Sequence, residues 1–362
     1  MRFLFFVLLI LSAPQVFAYP ELVKHGYPNC MACHVSPSGG GALTEYGRAL
    51  SKELLSTWGT EKETRFLYFI PTTEKIAFGG DLRYVNVKTT TPQGTFERGI
   101  FMQRDIEVAL TLGKWTFDVA AGTYDPQLQN ENQFISRRHY AIYQAEDELT
   151  IRAGRFYPSF GIYIPEHNTY IRRGLGWDHN RESYNLEGAW QNEKWNFFAT
   201  GIFGRPDDKT LKREAGGALS AAYNPTDKIK VGGSYYYGET DEITHHYVGP
   251  YAIVGLSHSL YLLSQITATR EFQYTAADPV WGLVTYNRFD YEFYKGMHVF
   301  LMQEFRQSNF DAGNTRGDVL GVGLQFFPRP HWEFQAVVQK VYSQGFSNTP
   351  ADNLYLLAHF YL

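Results

Sequence analysis

Apolar and polar residues alternate along most of the chain, from Lys75 to the C-terminus. Alternating runs rich in Tyr, Phe, Trp, Val and Thr are typical of half-buried β-strands. The pattern predicts sixteen strands, at residues 75–88, 97–112, 114–123, 138–146, 149–156, 182–191, 194–204, 214–223, 228–238, 246–258, 260–270, 280–294, 297–306, 317–327, 331–342 and 353–362.

The connections between these strands alternate in length. Short ones are found at 113, 146–148, 191–193, 224–227 and 328–330. Long ones are found at 124–137, 157–181, 205–213, 271–279, 307–316 and 343–352. Short turns at one end and long loops at the other are typical of an outer-membrane β-barrel. A soluble sandwich or a propeller has no reason to keep that alternation.

The two faces of several strands differ in polarity. In 297–306, one face carries Val299, Leu301 and Phe305, and the other carries His298, Glu304 and Arg306. Strands 280–294 and 331–342 also have one apolar face and one polar face. We expect the apolar faces to meet lipid and the polar faces to line the lumen. Arg104 breaks the pattern in 97–112, which predicts a bulge or a shifted boundary there.

Residues 1–18 have the pattern of a secretory signal peptide. Arg2 precedes an apolar run over 3–11, and Val16 and Ala18 fit the small-residue cleavage rule. The run is too short to cross a bilayer, and no later segment has eighteen consecutive apolar residues. We therefore expect an exported chain without a transmembrane helix. An uncleaved anchor is the alternative.

Composition agrees with an aromatic-rich barrel. Aromatic residues make up 17% of the chain and charged residues 19%, with a net charge of −4. These values exclude a disordered chain and argue against a nucleic-acid binder, which would be strongly basic.

Cys30, Cys33 and His34 form a C-x-x-C-H sequence, the attachment signature of c-type haem. Two thiols on one helical turn can reach both vinyl groups of a porphyrin, and the adjacent histidine then serves as the iron ligand. A thioredoxin-like pair would need a βαβ context, and a zinc site would need two more ligands. A lone disulfide would not require His34. The sequence thus predicts one covalently attached haem c.

The residues around this motif predict a short helical module over 19–72. Glycines in 37–41 allow close approach of the backbone to a flat ligand, and 42–58 has helical spacing of apolar residues. Some fifty residues cannot bury a haem alone, so we expect the module to be a plug or cap that borrows the barrel walls.

A second axial ligand is not assigned by the sequence. The candidates are His25, His298, Met302 and His359.

The loop 157–181 is the longest predicted connection. One interpretation folds it into the lumen, where Arg172 and Arg173 would favour anions. The alternative is an ordinary extracellular loop with a solvated charge pair. His167 and His179 could bind metal outside, although unpaired loop histidines seldom do.

The chain resembles the fused outer-membrane cytochrome–porin family, in which a monohaem c-type cytochrome precedes a barrel, as in iron-oxidising bacteria. Cys30, Cys33 and His34 match the haem motif, and the order of segments matches throughout: signal peptide 1–18, haem module 19–72 and barrel 73–362. The resemblance implies electron transfer across the outer membrane of a Gram-negative bacterium. It also implies a periplasmic carrier such as a soluble cytochrome as partner, with Fe(II) as one possible extracellular donor.

Two other functions fit the same features. The barrel could be a porin for small solutes with a haem-bearing plug, or the haem could serve as a peroxidase or sensor. The sequence leaves open whether the chain is an enzyme, and it leaves the oligomeric state open.

Overall fold

The computed structural model describes residues 20–123, 134–178, 181–206, 214–344 and 347–361. Within these ranges sixteen strands form one closed antiparallel barrel, in which β1 pairs with both β2 and β16. The strands are β1 (Ile76–Thr91), β2 (Gly94–Leu112), β3 (Trp115–Thr123), β4 (Phe134–Glu146), β5 (Leu149–Phe156), β6 (Ser183–Gln191), β7 (Trp195–Ile202), β8 (Ala215–Thr226), β9 (Ile229–Glu239), β10 (Ile243–Gly255), β11 (Leu260–Gln273), β12 (Val280–Tyr294), β13 (Met297–Gln307), β14 (Arg316–Phe326), β15 (Trp332–Ser343) and β16 (Ser347–Tyr361). The predicted all-β barrel of about sixteen strands is confirmed.

Strand ends at the long-loop side differ most from the sequence prediction. β1 and β2 extend to Thr91 and Gly94, so they meet in a tight hairpin, and β16 begins at Ser347 rather than at 353. The expected loop 343–352 is therefore wrong. These strand ends project beyond the apolar belt. Neither face of a strand contacts lipid there, so the alternation of apolar and polar residues is lost.

The outer surface of the barrel is apolar and the inner surface is polar, as the alternation predicts. On β13, Leu301 is 53% exposed on the outside, whereas His298 is fully buried on the inside. On β12, Phe289 points outward and Asp290 points inward. An exposed apolar belt of this extent requires lipid around it.

The predicted irregularity near Arg104 is confirmed as a β-bulge. Pairing between β1 and β2 shifts at Arg83/Tyr84, so that Met102 has no partner across the ladder. The Arg104 guanidinium lies 5.5 Å from the centre of the Phe101 ring. This cation–π contact stabilises a charged side chain at a position that faces outward from the barrel.

The described part of the N-terminal segment, residues 20–72, contains only short helices. They are the 3₁₀ turns Pro20–His25 and Glu61–Thr64, and the helix α1 (Glu45–Leu50), which continues as a π turn over Ser51–Leu55. Thr44 caps α1, since its hydroxyl accepts a hydrogen bond from the Gly47 amide at 3.1 Å. The predicted helix over 42–58 was thus too long. Among the described residues, no helix has the length and apolarity needed to cross a membrane.

Residues 20–56, which we call the plug, occupy the lumen at the short-turn end. The Lys24 ammonium lies 2.6 Å from a Glu292 carboxylate oxygen on β12, and Ser51 bonds the Tyr361 hydroxyl on β16 at 3.1 Å. Arg48 donates to the backbone carbonyl of Phe78 on β1. Leu22, Val23 and Lys24 are almost completely buried in these contacts. The plug therefore fills the lumen at the end of the barrel where the short turns lie.

Candidate functional site

The C-x-x-C-H segment forms a single helical turn inside the lumen. The amide of His34 donates to the Cys30 carbonyl at 3.1 Å, and the amide of Cys33 donates to the same oxygen at 3.2 Å. The two thiols are not bonded to each other. One turn therefore carries both cysteines and the histidine, in the order that the haem-attachment motif has.

Both sulfurs are in apolar surroundings. Cys33 packs against Leu43, Leu50 and Tyr361, while Cys30 lies at the edge of a small cavity. Burial raises the pKa of both thiols above their usual value. A redox-active C-x-x-C pair needs the opposite, a lowered thiol pKa. Uncharged sulfur, such as a thioether, suits this position better.

His34 is held in one orientation by a backbone carbonyl. Its Nδ1 lies 3.3 Å from the Gly41 carbonyl oxygen, so Nδ1 carries the proton and Nε2 carries the ring lone pair. Burial lowers the pKa of His34 to about 4, so the imidazole is neutral near pH 7. Neutral imidazole is the form that binds metals.

A run of three glycines brings the chain back over the turn. Gly39, Gly40 and Gly41 all have positive φ, between +74° and +88°. A Cβ added at Gly39 would lie 3.0 Å from the Cβ of Cys30, and one at Gly40 would lie 2.7 Å from the Tyr163 ring. The backbone at 39–41 thus comes close to the motif itself and to the loop, and its close approach to a flat ligand stays a prediction.

The cavity beside Cys30 has a volume of about 70 Å³ and is lined largely by apolar and aromatic side chains. Its lining residues include Tyr27, Tyr157, Phe160 and Tyr251, with Lys230 as a charged member. This volume holds a few water molecules, since one needs ~10–15 Å³. Cys30, Cys33 and His34 are the residue types that covalent haem attachment uses, but neither Cys33 nor His34 lines this cavity, and its volume is too small for a porphyrin ring.

Three of the four candidate axial ligands lie on the wall, and two of these, His298 and Met302, are on β13 and already have hydrogen-bond partners. His298 Nδ1 lies 2.6 Å from an Asp290 carboxylate oxygen, and Gln339 donates to the Met302 sulfur at 3.2 Å. Neither lines the cavity beside Cys30.

The other two candidates are also in contact with carboxylates. His25 Nε2 lies 3.9 Å from Glu292, and His359 lies between Glu333 and Asp81, at 2.8 Å from each. The structure brings none of the four to the cavity beside Cys30, so the second axial ligand is still unassigned.

The loop folds into the lumen over its described part, 157–178, which confirms the luminal interpretation. The Gly161 amide donates to Ser234 at 3.0 Å, and the Ile162 amide donates to Gln265 at 2.8 Å. His179 lies outside the described residues, and His167 bonds Asp178 at 3.0 Å.

The predicted pair of pore-facing arginines is only half correct. Arg172 is buried within the loop, where its guanidinium lies 4.5 Å from the ring centre of Tyr157 and 4.9 Å from that of Tyr163. Arg173 does face the opening, although its Nε lies 3.4 Å from Asp178. Two neighbouring loop residues point in different directions, so they do not act as one cationic pair.

Above the loop lies a vestibule of about 1320 Å³ that opens at the long-loop end. Arginines line it together with aromatic residues such as Trp177 and Tyr286, and acidic residues are also present; the arginines are Arg83, Arg98, Arg173, Arg181, Arg205 and Arg288. The Trp177 ring centre is 4.9 Å from that of Phe160, which lines the cavity beside Cys30. The Phe160–Trp177 contact thus lies between the vestibule and the cavity beside Cys30.

A buried ion pair that the sequence analysis missed ties plug, loop and wall together. Arg152 on β5 donates to Ser36 at 2.8 Å, to Ser38 at 3.0 Å and to Glu187 at 2.6 Å. Glu187, opposite Arg152 in the β5–β6 register, also accepts from Ser159 of the loop at 2.7 Å. We call these five residues the latch. The alternation on 149–156 and 182–191 already placed Arg152 and Glu187 inward, and that signal could have found the pair.

The fold has many counterparts among solved structures. An OmpT loop-deletion mutant from Vibrio cholerae matches with a TM-score of 0.64 at 9% identity, over 79% of this chain and 99% of that one. OmpF from Salmonella typhi, in complex with daunomycin, matches with a TM-score of 0.61 at 12% identity, over 79% and 97%. An anion-selective porin from Comamonas acidovorans matches with a TM-score of 0.59 at 8% identity, over 80% and 99%. At these identities the likeness concerns the porin-like barrel alone.

No protein-family model matches the sequence, and no curated protein matches it.

Proposed function

We propose that this chain is an outer-membrane electron conduit, in which the plug carries one haem c attached through Cys30 and Cys33, with His34 as an iron ligand. The observation that carries the proposal is the seating of the C-x-x-C-H turn within the barrel lumen, between the loop and the periplasmic mouth. When bound, the haem supplies a centre that accepts and releases one electron. A barrel wall is an insulating layer roughly 25 Å tall, so such a centre would lie partway across it.

The chain's own residues hold the site in place and surround it. Arg152 fixes the plug through Ser36 and Ser38, and Gly41 orients the His34 ring. Apolar and aromatic side chains surround the Cys30 sulfur, and this burial favours an uncharged thioether. The vestibule gives an extracellular donor such as Fe(II) access to the far side of the Phe160–Trp177 contact. A soluble cytochrome would meet the plug from the periplasmic side.

Replacing both Cys30 and Cys33 with serine should abolish covalent haem while the barrel still folds. The full chain is produced in a host with the c-type maturation machinery, and haem is measured by staining after denaturing electrophoresis and by its reduced-minus-oxidised spectrum. The native chain should carry one haem that reduces with Fe(II), and the variant should carry none.

Purified protein in vesicles with an entrapped electron acceptor tests direction and route. External Fe(II) should reduce the acceptor through the native chain and not through the Cys30→Ser, Cys33→Ser variant. A native chain without covalent haem would overturn the proposal. A haem that binds CO and reacts with peroxide, without transfer across the vesicle wall, would favour the peroxidase or sensor alternative.

A porin that passes small solutes and has a haem-bearing plug is the second candidate. The vestibule, lined in part by arginines, favours it, and one similar structure is an anion-selective porin. Against it stands the plug, which meets the folded loop at Gly40 and Tyr163 and leaves about 70 Å³ beside Cys30. A passive porin would conduct ions in a planar bilayer without any change to the plug.

A further inference from the structure

After the plug, the chain leaves the lumen and crosses the periplasmic rim of the barrel. The Thr57 amide donates to the Phe327 carbonyl at 2.8 Å, and the Trp58 amide donates to the Pro328 carbonyl at 2.9 Å. The Trp58 ring then meets Phe326 edge-on, with ring centres 6.1 Å apart. Phe326 has the same parity as the exposed Leu320, Val322 and Leu324, so Trp58 lies on the outer face. We call residues 57–72 the collar.

The collar continues on the outer face as a tight hairpin over 66–70. Phe66 and Ile70 exchange two backbone hydrogen bonds, at 2.8 and 3.0 Å. Phe66 stacks on Phe78 with ring centres 4.9 Å apart, and Phe78 shares the outward parity of Ile76 and Leu82. Phe78 lies two residues into β1, or roughly 7 Å along the strand from its start. The hairpin therefore lies at the edge of the lipid-facing belt.

The tip of the hairpin is apolar and exposed, and its backbone is unusual. Leu67, Tyr68 and Phe69 are all exposed, with Phe69 at 66%. Leu67 and Tyr68 have φ of 50° and 69°, a conformation that bulky residues rarely adopt. A backbone conformation of this kind is kept only where contacts with the surrounding structure stabilise it. The Trp332 indole N–H, which donates to the Tyr68 hydroxyl at 3.0 Å, supplies one such contact.

We propose that the collar is a membrane anchor, whose Leu67–Phe69 tip and Trp58 insert into the periplasmic leaflet of the surrounding phospholipid bilayer. Continuity with the outer wall argues for lipid as the occupant. Trp332 stacks against Phe334 and contacts Phe360, at ring-centre distances of 6.0 and 4.9 Å, as in the aromatic girdle of a membrane barrel. Tyr68 extends that girdle by its bond to Trp332. Because the collar follows the plug directly in the chain, a collar anchored in the membrane would hold the plug in its position in the lumen.

The proposal uses the membrane location given above and does not depend on haem. Three variants are made in the full chain, Phe69→Cys at the tip, Leu301→Cys on the lipid-facing wall and Glu61→Cys on the exposed start of the collar. Each is labelled with a nitroxide and placed in vesicles of phosphatidylethanolamine and phosphatidylglycerol. Collision rates with oxygen and with a water-soluble nickel chelate then report depth. The native chain, labelled in parallel, gives the background from Cys30 and Cys33.

The label at position 69 should have an oxygen-to-nickel collision ratio several-fold above that at 61 and below that at 301, because the hairpin lies at the edge of the lipid-facing belt. If the label at 301 lies in lipid while the label at 69 is as accessible to nickel as that at 61, the anchor proposal is overturned and the membrane location of the barrel is retained. If 301 is also accessible to nickel, the membrane location itself fails. If 69 loses collisions with both reagents and its spectrum broadens by spin–spin coupling, a second copy of the chain covers the tip, which also overturns the lipid proposal.

Discussion

Arg152→Ala should open an ion-conducting path through a barrel whose lumen the plug and the loop block. Arg152 is almost completely buried and bonds Ser36 and Ser38 of the plug, while its partner Glu187 is fully buried and bonds Ser159 of the loop. Removing one member of a buried ion pair leaves the other charge uncompensated, at a cost of ~3–5 kcal/mol. Water that enters to solvate Glu187 would separate plug and loop from the wall.

Planar-bilayer recording measures this effect directly. The native chain should be nearly silent, and Arg152→Ala should raise the open probability on the order of 10²–10³-fold, since each 1.4 kcal/mol is tenfold. Arg98→Ala is the matched control, because Arg98 lines the vestibule and makes no described contact with the plug. It should leave conductance near the native value.

A second variant separates the buried charge from lost packing. Replacing Arg152 with methionine and Glu187 with leucine removes both charges, and such swaps are often neutral. The double variant should therefore conduct less than Arg152→Ala. A folded Arg152→Ala barrel as silent as the native one would contradict the role of the latch. A native chain that conducts freely would favour the porin candidate.

The barrel could be predicted closely because lipid and lumen impose opposite demands on every second residue. Leu301 and His298 illustrate this, since their separation to opposite faces follows from parity alone. The strand ends were missed, as at 347–352, because that demand ends with the apolar belt. Arg172 was misplaced because a loop has no periodicity, and its direction depends on Tyr157 and Tyr163.

Within the candidate site, features that depend on local sequence could be predicted, and contacts between residues far apart in sequence could not. Cys30, Cys33 and His34 could be recognised because their spacing alone defines one turn. The contacts that seat this turn could not, because they join residues far apart in sequence, such as Ser36 and Arg152 at a separation of 116. The path of the collar over the rim depends on Trp332 and Phe326, which only the closed barrel brings near residues 57–72.

Under the proposed haem attachment, Gly47→Ala should sharply reduce the haem content without loss of the barrel. A Cβ at Gly47 would lie 2.4 Å from the Cys33 carbonyl oxygen and 2.8 Å from the Cys33 Cβ. The first of these is a backbone atom, fixed by the Thr44 amide, which donates to the same carbonyl at 2.9 Å. The clash cannot be relieved by rotation of a flexible side chain, so the attachment turn and α1 must separate. Overpacking of this kind costs ~1–3 kcal/mol and displaces the backbone.

Haem stain per folded barrel gives the readout, and we expect a fall of about tenfold, which corresponds to ~1.4 kcal/mol. Gly188→Ala is the matched control, since its added Cβ would meet nothing within 4 Å. Hydrogen exchange at the Cys33 and Thr44 amides should rise in Gly47→Ala alone, which ties the loss to the contact between helix and turn. Full haem attachment in Gly47→Ala would mean that α1 does not position the cysteines. In that case the wall contacts of Ser36 and Ser38 with Arg152 would be what holds the turn in place.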